Sequence, residues 1–361
     1  MADEETPTGG CKQKCCGSPS RKICSTLMIL VCIVAIVLIA VYATRSGISP
    51  IDETHTQGSQ GQCSTTSSDV ASIKVMTFNS FMINCLPGAK CQESEARTER
   101  AKSIGEWFID RDEDVVLMQE LWSNHDDIRN GMTGAGFCHF VTTEANSGSG
   151  LAIFSKHPIL EISFEDWANL KDLLPDILNP ETYLANKGVL YAKIMKEDRP
   201  INVFNLHASS DTFGDNHELR LKQFNVVREL IDSKNISDDE LVLVGGDMNE
   251  DKDCRMMTCK EAKCENRTYY NEMLETLSAG ALEINTNTTD AWTYNTEKNA
   301  LLKSLYEGSD CQDYQYLLDY IFYSTNHLAA NSSSECEVVQ PLSAEGTDLS
   351  DHFPLACVID F

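Results

Sequence analysis

The feature that most constrains the fold is a succession of short apolar runs, from residue 73 onward, that amphipathic stretches and turns separate. Short runs rich in β-branched and aromatic residues, bounded by turn residues, are typical of buried strands. Apolar side chains at helical spacing predict two helices, over residues 96–109 and 218–231. The predicted strands cover 73–79, 114–120, 150–155, 188–194, 201–207, 241–247, 318–324 and 355–361. This alternation predicts one α/β domain over residues 70–361.

Six of the predicted strands carry polar side chains at one end. The residues concerned are Asn79, Glu120, His207, Asp247 with Asn249, Asp319, and Asp351 with His352. Each of them alone is explained as a cap or a turn residue. Together they predict one cleft, because α/β sheets place ligand sites at strand ends and residues i and i+2, such as Asp247 and Asn249, face the same side. Carboxylate and amide oxygens suit Mg²⁺, and histidines suit proton transfer near neutral pH.

A charge-free apolar run over residues 23–43 is long enough to cross a bilayer as a helix. Basic residues precede it, which places the N-terminus in the cytoplasm and the rest of the chain outside. We therefore predict a cytoplasmic tail over 1–22, a transmembrane signal anchor over 23–44 and a flexible Ser/Thr/Gly/Gln-rich stalk over 45–69, in a single-pass type II protein. The alternative is a cleaved signal peptide and a secreted protein.

Cysteines, sequons and charge agree with an extracellular or lumenal domain. Ten of the 15 cysteines follow the apolar run, and an even number in such a segment predicts disulfides, whose pairing the sequence leaves open. Four sequons predict glycosylation, at Asn235, Asn266, Asn287 and Asn331. The formal net charge of -26 argues against a nucleic-acid partner, although it does not exclude a zwitterionic substrate. The sequence indicates no protein partner.

The ordered motifs "TFN", "QE", "NLH", "GGDMN", "LDYIF" and "SDHFP" resemble the endonuclease/exonuclease/phosphatase superfamily of metal-dependent phosphoesterases, over about residues 72–361. The resemblance implies a DNase-I-like fold, in which two facing β-sheets are flanked by helices in four layers and the site lies at one end of the sandwich. Within the superfamily, "YLANKGVLYAKI" (183–194), "DAWTYNTEKNAL" (290–301) and "YLLDYIF" (316–322) resemble neutral sphingomyelinases of the bacterial sphingomyelinase C type.

This resemblance implies hydrolysis of sphingomyelin in membranes to ceramide and phosphocholine. The implied cofactor is Mg²⁺, with Mn²⁺ as the alternative. Glu120 is the implied metal ligand, Asn79 lies close to the metal and the phosphate, and Asp351 is either a second ligand or a partner to the site. Lys187, in the Lys-Gly strand, is implied to touch the phosphate or the headgroup.

The resemblance also implies the catalytic roles. His352 is the general base that activates water, and Asp319 orients its imidazole as a carboxylate does in hydrolytic triads. Asp247 and Asn249 position water and a phosphoryl oxygen. Asn249 and His207 donate hydrogen bonds where negative charge develops.

The chain departs from the family at two places. Thr182, with Glu181 beside it, occupies a position where the family tends to have an acid, and the aromatic-rich hairpin of some bacterial members is not evident in residues 299–311. Two alternatives remain open. One is a nuclease or phosphoinositide phosphatase of the same superfamily, and the other is a catalytically inactive receptor ectodomain.

Overall fold

The computed structural model describes residues 51–52, 71–83, 94–143, 148–167, 186–210, 216–252, 269–286, 291–307 and 314–361. The chain divides into two units, 1–49 and 50–361, and every described residue belongs to the second. The predicted tail, signal anchor and stalk therefore lie outside the described residues, except for Ile51 and Asp52. None of the helices in the described ranges is both long enough and apolar enough to span a membrane.

The described residues form one sheet of eight strands in which β2 and β3 pair in parallel at the centre. In spatial order the strands are β1 (Ile51–Asp52), β4 (His139–Thr143), β5 (Ala152–Ser155), β3 (Val115–Gln119), β2 (Ser72–Asn79), β16 (Leu355–Asp360), β15 (Glu335–Val338) and β11 (Glu283–Ile284). Strand β2 carries large apolar residues on both of its faces. Ile73 and Val75 face the second sheet, and Met76 and Phe78 face the helices, so both faces are buried.

A second sheet of six strands packs face to face with the first. In order it contains β10 (Ala279–Ala281), β14 (Asp319–Ser324), β9 (Leu241–Asp247), β8 (Arg199–His207), β7 (Gly188–Lys196) and β6 (Ile159–Asp166). The core between the sheets joins Val75 and Leu117 of the first sheet to Leu190, Val203 and Leu243 of the second. A separate two-stranded ribbon pairs β12 (Tyr294–Asn295) with β13 (Gln315–Tyr316).

Helices cover the outer face of each sheet. The first sheet packs on α1 (Ser94–Trp107), a 3₁₀ turn (Phe108–Asp110) and α2 (His125–Gly134), and the second packs on α3 (His217–Ser233) and α4 (Tyr269–Leu277). A short helix, α5 (Ala300–Leu305), precedes the second strand of the ribbon. The order helix, sheet, sheet, helix is the predicted four-layer fold, which the structure confirms.

All eight predicted strands and both predicted helices are present, with ends that differ by a few residues. Strands such as β4, β6 and β15 were not predicted, and neither were α2 and α4. Strand β6 is an edge strand with mixed burial, so its apolar signal is diluted. Helix α2 contains two glycines, which lower its helical propensity.

One predicted disulfide is confirmed within the described residues. Cys336 and Cys357 are directly opposite each other on the neighbouring strands β15 and β16, and a disulfide joins them. Two of the four sequons also lie in described segments. The side chains of Asn235 and Asn331 are exposed, as a glycan would require, and glycosylation of both stays a prediction.

Candidate active site

The register of the second sheet places three predicted site residues side by side. His207 ends β8 opposite Asp247, which ends the parallel strand β9, and Asp319 begins the antiparallel strand β14 opposite Asp247. In the first sheet, β2 ends at Asn79 at the same end of the sandwich. The Asn79 Nδ2 donates a hydrogen bond to Asp247 Oδ2 across the two sheets at 3.0 Å.

The Gly-Gly pair before Asp247 has a packing reason. Gly246 has φ +144°, and a Cβ atom there would lie 1.9 Å from the carbonyl oxygen of Leu206 on β8. Only glycine therefore allows the two strands to approach so closely just before the site. Asp247 and Asn249 were predicted to face the same side as residues i and i+2 of one strand. Strand β9 ends at Asp247, however, and Asn249 has φ 49°, so strand alternation does not explain their proximity. The two residues stay together because Asp247 Oδ1 accepts the Asn249 N–H at 2.9 Å.

His352 and Asp319 form a buried pair. The Nδ1 of His352 lies 2.8 Å from Asp319 Oδ2, so Nδ1 carries the proton and Nε2 keeps its lone pair whenever the ring is neutral. The Nε2 atom lies 3.9 Å from Asp247 Oδ2. Burial alone would lower the pKa of His352, but the carboxylates of Asp319 and Asp247 raise it well above its usual value.

Lys187 contacts His207 on the ring edge that faces the acids of the site. Both side chains are buried, and Lys187 Nζ lies 3.2 Å from His207 Nε2 while it donates to the carbonyl of Ala208 at 3.0 Å. The same Nε2 atom lies 3.5 Å from Asp247 Oδ2 and 3.8 Å from Glu120 Oε1. Burial, then Lys187 and His352, lower the pKa of His207 well below its usual value and keep the ring neutral. Its buried Nδ1 has no hydrogen-bond partner among the described residues.

Glu120 follows β3 directly and has the left-handed φ of 56°, a backbone conformation that is often found at functional sites. Its side chain is 14% exposed, yet its Oε2 atom is buried without a partner in the described part of the chain. Burial and the nearby acids Asp351 and Asp247 raise the pKa of Glu120 to about 8. An orphaned carboxylate oxygen among other acids fits a bound divalent cation, which would supply the missing charge.

Asp351 lies on the segment that leads to His352. Its carboxylate is buried and accepts a hydrogen bond from Ser350 Oγ at 3.3 Å, while the same hydroxyl also donates to the Asn79 carbonyl at 2.6 Å. Burial raises the pKa of Asp351, and the charges of His352 and Arg100 oppose that rise.

The described residues include one group whose ligand atoms all lie within 4.8 Å of one another, formed by Asp247, Asp319 and His352. These residues could hold a divalent metal ion. The group differs from the predicted ligands Glu120, Asn79 and Asp351, and in it Asp319 and His352 already bond to each other. The unpaired oxygen of Glu120 is therefore the stronger mark of a cation site, and the predicted ligand set stays a prediction.

Arg100, which was not predicted from the sequence, organises the site from α1. Its buried guanidinium donates to the carbonyls of Ser80 and Leu349, each at 2.7 Å, and also to that of Phe81. It thereby joins the loop after Asn79 to the segment before Asp351. A signal was present, since Arg100 falls on the apolar face of the predicted helix beside Ala101.

The site is lined by aromatic rings on two sides. The ring of Trp122 lies 6.0 Å from that of His207, and the ring of Tyr294 lies 4.9 Å from that of His352, both measured between centroids. Neither aromatic residue was singled out in the sequence. The arrangement as a whole is a buried histidine–aspartate pair, a neutral histidine and a group of acids at one end of a β-sandwich, which suits metal-assisted phosphoester hydrolysis.

Comparison with known proteins agrees with this class. Residues 76–352 match the model of the Endonuclease/Exonuclease/phosphatase family, and the chain belongs to that family. A sphingomyelinase C from Bacillus cereus is 28% identical over 336 residues, which cover 84% of this chain and 93% of that protein. The expected superfamily and the expected similarity to sphingomyelinase C are thus confirmed.

Solved structures show the same fold. One structure of beta toxin from Staphylococcus aureus matches with a TM-score of 0.60 and 22% identity, over 79% of this chain and 99% of that chain. A double mutant of the same S. aureus beta toxin, which was solved with bound magnesium ions, matches with a TM-score of 0.56 and 20% identity, over 79% and 98% of the two chains.

Proposed function

We propose that this protein hydrolyses sphingomyelin to ceramide and phosphocholine in a Mg²⁺-dependent reaction. The observation that carries the proposal is the buried His352–Asp319 pair, which holds Nε2 of His352 on the side of the acids of the site. The similarity to sphingomyelinase C over most of the chain supports the choice of lipid. The magnesium ions of the S. aureus neighbour support the choice of metal.

The geometry of the His352–Asp319 pair supports the following proton steps. The Nε2 of His352 accepts a proton from water, and Asp319 holds the ring and stabilises the imidazolium that forms. The water oxygen forms a bond to phosphorus, the bond from phosphorus to the ceramide oxygen breaks, and that oxygen takes a proton from solvent as it leaves. His352 then returns its proton to solvent. Asp247 stands 3.9 Å from Nε2 and is placed to orient the water.

Hydrogen-bond donors stabilise the charge that develops on the phosphoryl oxygens. His207 would donate to a phosphoryl oxygen from Nε2, which lies 3.5 Å from Asp247 Oδ2 and 3.8 Å from Glu120 Oε1. Asn249 Nδ2 donates one hydrogen to the carbonyl of Ala208 at 3.1 Å and keeps the second. Lys187 Nζ lies 3.2 Å from His207 Nε2, on the ring edge that faces Asp247, which supports its proposed contact to the phosphate or the headgroup.

Glu120, with Asn79 and Asp351, would hold the Mg²⁺ ion. When it is bound, the ion neutralises charge on the phosphoryl group and polarises the phosphorus–oxygen bonds. The residues fit this task because the carboxylate of Glu120 is short of a positive partner.

We further propose that residues 23–44 anchor the protein as a type II membrane protein with residues 70–361 outside the cell or in the lumen. The charge pattern around the apolar run supports this orientation, and the cysteines and sequons support an oxidising compartment. Cleavage of the same run would give a secreted enzyme. The size of the mature protein from a secretory host, measured by mass spectrometry after deglycosylation, distinguishes these two forms.

The test is phosphocholine release from sphingomyelin vesicles by the full chain, produced in a secretory host. Release is expected to require Mg²⁺, to stop with EDTA and to fall about 10³-fold in His352→Ala, as loss of a general base predicts. His327→Ala is the matched control, because His327 lies just after the other end of β14 and bonds to Ser324. Folded protein without release would favour another phosphodiester, such as a nucleic acid or phosphoinositide, or the receptor alternative.

A further inference from the structure

Four tyrosines cluster beside the catalytic base. Tyr294 and Tyr316 are directly opposite each other on the ribbon β12–β13, so both rings lie on one face of it, and Tyr314 precedes Tyr316 by two residues. Tyr306, next to α5, completes the group. Its ring centroid lies 4.6 Å from that of Tyr314, and its hydroxyl lies 2.8 Å from that of Tyr294. We call Tyr294, Tyr306, Tyr314 and Tyr316 the tyrosine cluster.

The tyrosine cluster is continuous with the active site and reachable from it. The Tyr294 ring meets the imidazole of His352 edge to face, with centroids 4.9 Å apart. Tyr294, Tyr306 and Tyr314 are half-buried, and Tyr316 is 8% exposed. The rings thus present partly open aromatic surface directly beside the group that activates water. Tyrosines that only fill the core would be fully buried. Tyrosines that meet by chance on the surface would not contact His352.

The aromatic rings of the tyrosine cluster favour a quaternary ammonium group, which is a cation without hydrogen-bond donors. The faces of aromatic rings carry negative potential, and several rings around one point bind quaternary ammonium groups. Burial raises the pKa of Tyr294 and Tyr306, and the nearby Asp351 carboxylate raises both further, so these phenols stay neutral. Asp351 also adds negative potential on this side of the site. A metal ion would prefer the carboxylates to the rings.

From this geometry we infer that the tyrosine cluster is the subsite for the trimethylammonium group of the substrate headgroup. The inference rests on the proposed function and deepens it. In a phosphocholine diester two methylene groups separate the phosphate oxygen from the nitrogen. The ammonium of a substrate whose phosphorus lies near a water on His352 is therefore within reach of Tyr294, whose ring lies 4.9 Å from that of His352. The cluster would explain how a chain with an acidic surface selects a zwitterionic headgroup.

The experiment compares two substrates that differ only in the positive charge of the headgroup. The two substrates are a water-soluble short-chain sphingomyelin and its 3,3-dimethylbutyl analogue, in which carbon replaces the quaternary nitrogen. We expect the wild-type full chain to prefer the first about tenfold in kcat/KM, which is the size of a partly desolvated cation–π contact. Tyr306→Leu and Tyr314→Leu should reduce that preference several-fold, and the double variant should bring it close to one. Tyr306→Phe and Tyr314→Phe keep the rings and should keep the preference.

Other outcomes overturn the inference. Equal rates on the two soluble substrates in wild type, or an unchanged preference in the double leucine variant, would show that these rings do not bind the ammonium. Loss of vesicle activity with an unchanged preference would make the cluster a membrane contact instead. If Trp122→Leu lost the preference for the charged substrate and the tyrosine variants kept it, the ammonium would bind beside Trp122 and His207 instead. Wild-type protein that cleaves neither the soluble substrates nor sphingomyelin in vesicles would overturn the proposed function itself, and this inference with it.

Discussion

Both ends of strand β3 carry an acid with a buried carboxylate oxygen, and the two acids have opposite surroundings. Asp114 directly precedes the strand and is saturated with donors. His157 Nε2, Lys196 Nζ and the backbone N–H of Lys74 each lie 2.9 Å from its oxygens. Glu120 directly follows the strand and leaves its buried Oε2 without a partner in the described segments. Strand β7 shows the same contrast, since Lys196 at its end bonds an acid and Lys187 before its start bonds a histidine.

The pKa values express this difference. Burial alone would raise the pKa of Asp114, but hydrogen bonds from His157 and Lys196 lower it to about 2. Burial and neighbouring acids raise the pKa of Glu120 to about 8. The protein therefore uses the charge of Asp114 to stabilise its fold, whereas the charge of Glu120 is left for a ligand. A buried carboxylate without a partner holds its proton to a higher pH, and groups with such shifted pKa values mark functional sites.

The largest expected effect is on catalysis, from Glu120→Gln. This nearly isosteric change removes the charge that would hold the metal, and kcat/KM should fall about 10³-fold. The unfolding free energy measured in EDTA should change little, because the pKa of about 8 keeps the metal-free carboxyl of Glu120 mostly neutral at pH 7, like the amide that replaces it. Both quantities are measured on the same preparation, by phosphocholine release and by urea unfolding. A large loss of stability with little loss of rate would make Glu120 a structural acid like Asp114.

The second expected effect is on stability, from Asp114→Asn. The change leaves Lys196 without its carboxylate in a buried setting, and the unfolding free energy should fall by about 3 kcal/mol. Activity at a permissive temperature should be unchanged, because this end of the sandwich is remote from the site. Asp112→Asn is the matched control. Asp112 forms an exposed pair with Lys74, and its loss should cost less than about 1 kcal/mol. If Asp114→Asn and Asp112→Asn lowered the unfolding free energy by similar amounts, Asp114 would not be a stabilising buried acid.

The third expected effect comes from the metal. Magnesium at about 100 times its Kd should raise the unfolding free energy by about 2.7 kcal/mol, because it binds only the folded state. Differential scanning calorimetry with Mg²⁺ and with EDTA measures this. The increase should persist in Asp114→Asn and disappear in Glu120→Gln. An equal increase in all three proteins would place the ion away from Glu120.

The smallest expected effect is on acid stability. The pKa of Asp114 is lower in the folded protein, about 2, than the ordinary 3.8, so its contribution is present above pH 4 and is lost as pH falls through 2. The difference in unfolding free energy between wild type and Asp114→Asn should therefore shrink by about 2 kcal/mol over that window. Urea unfolding at several pH values tests this. A constant difference would mean that Asp114 has no depressed pKa.

Much of the fold followed from local pattern. Strand β2 is visible as an apolar run because both its faces are buried, and helix α3 is visible because its apolar residues keep helical spacing. Edge strand β6 and helix α2 were not found, since partial burial and glycines weaken the same signals. The candidate residues were found as strand ends, and the structure brings them to one end of the sandwich. Arg100 and the tyrosine cluster were not found, because neither forms a contiguous motif.

The sequence by itself determined which segments form strands, which side chains stand at their ends and which family the motifs resemble. Only the tertiary structure decided which buried charges are paired. Asp114 and Lys196 are 82 positions apart, and Asn79 and Asp247 are 168 apart. Hydrophobic periodicity is a local property that the chain carries in its order. The partner of a buried charge depends on how distant segments pack, and that packing leaves Asp114 saturated and Glu120 open to a ligand.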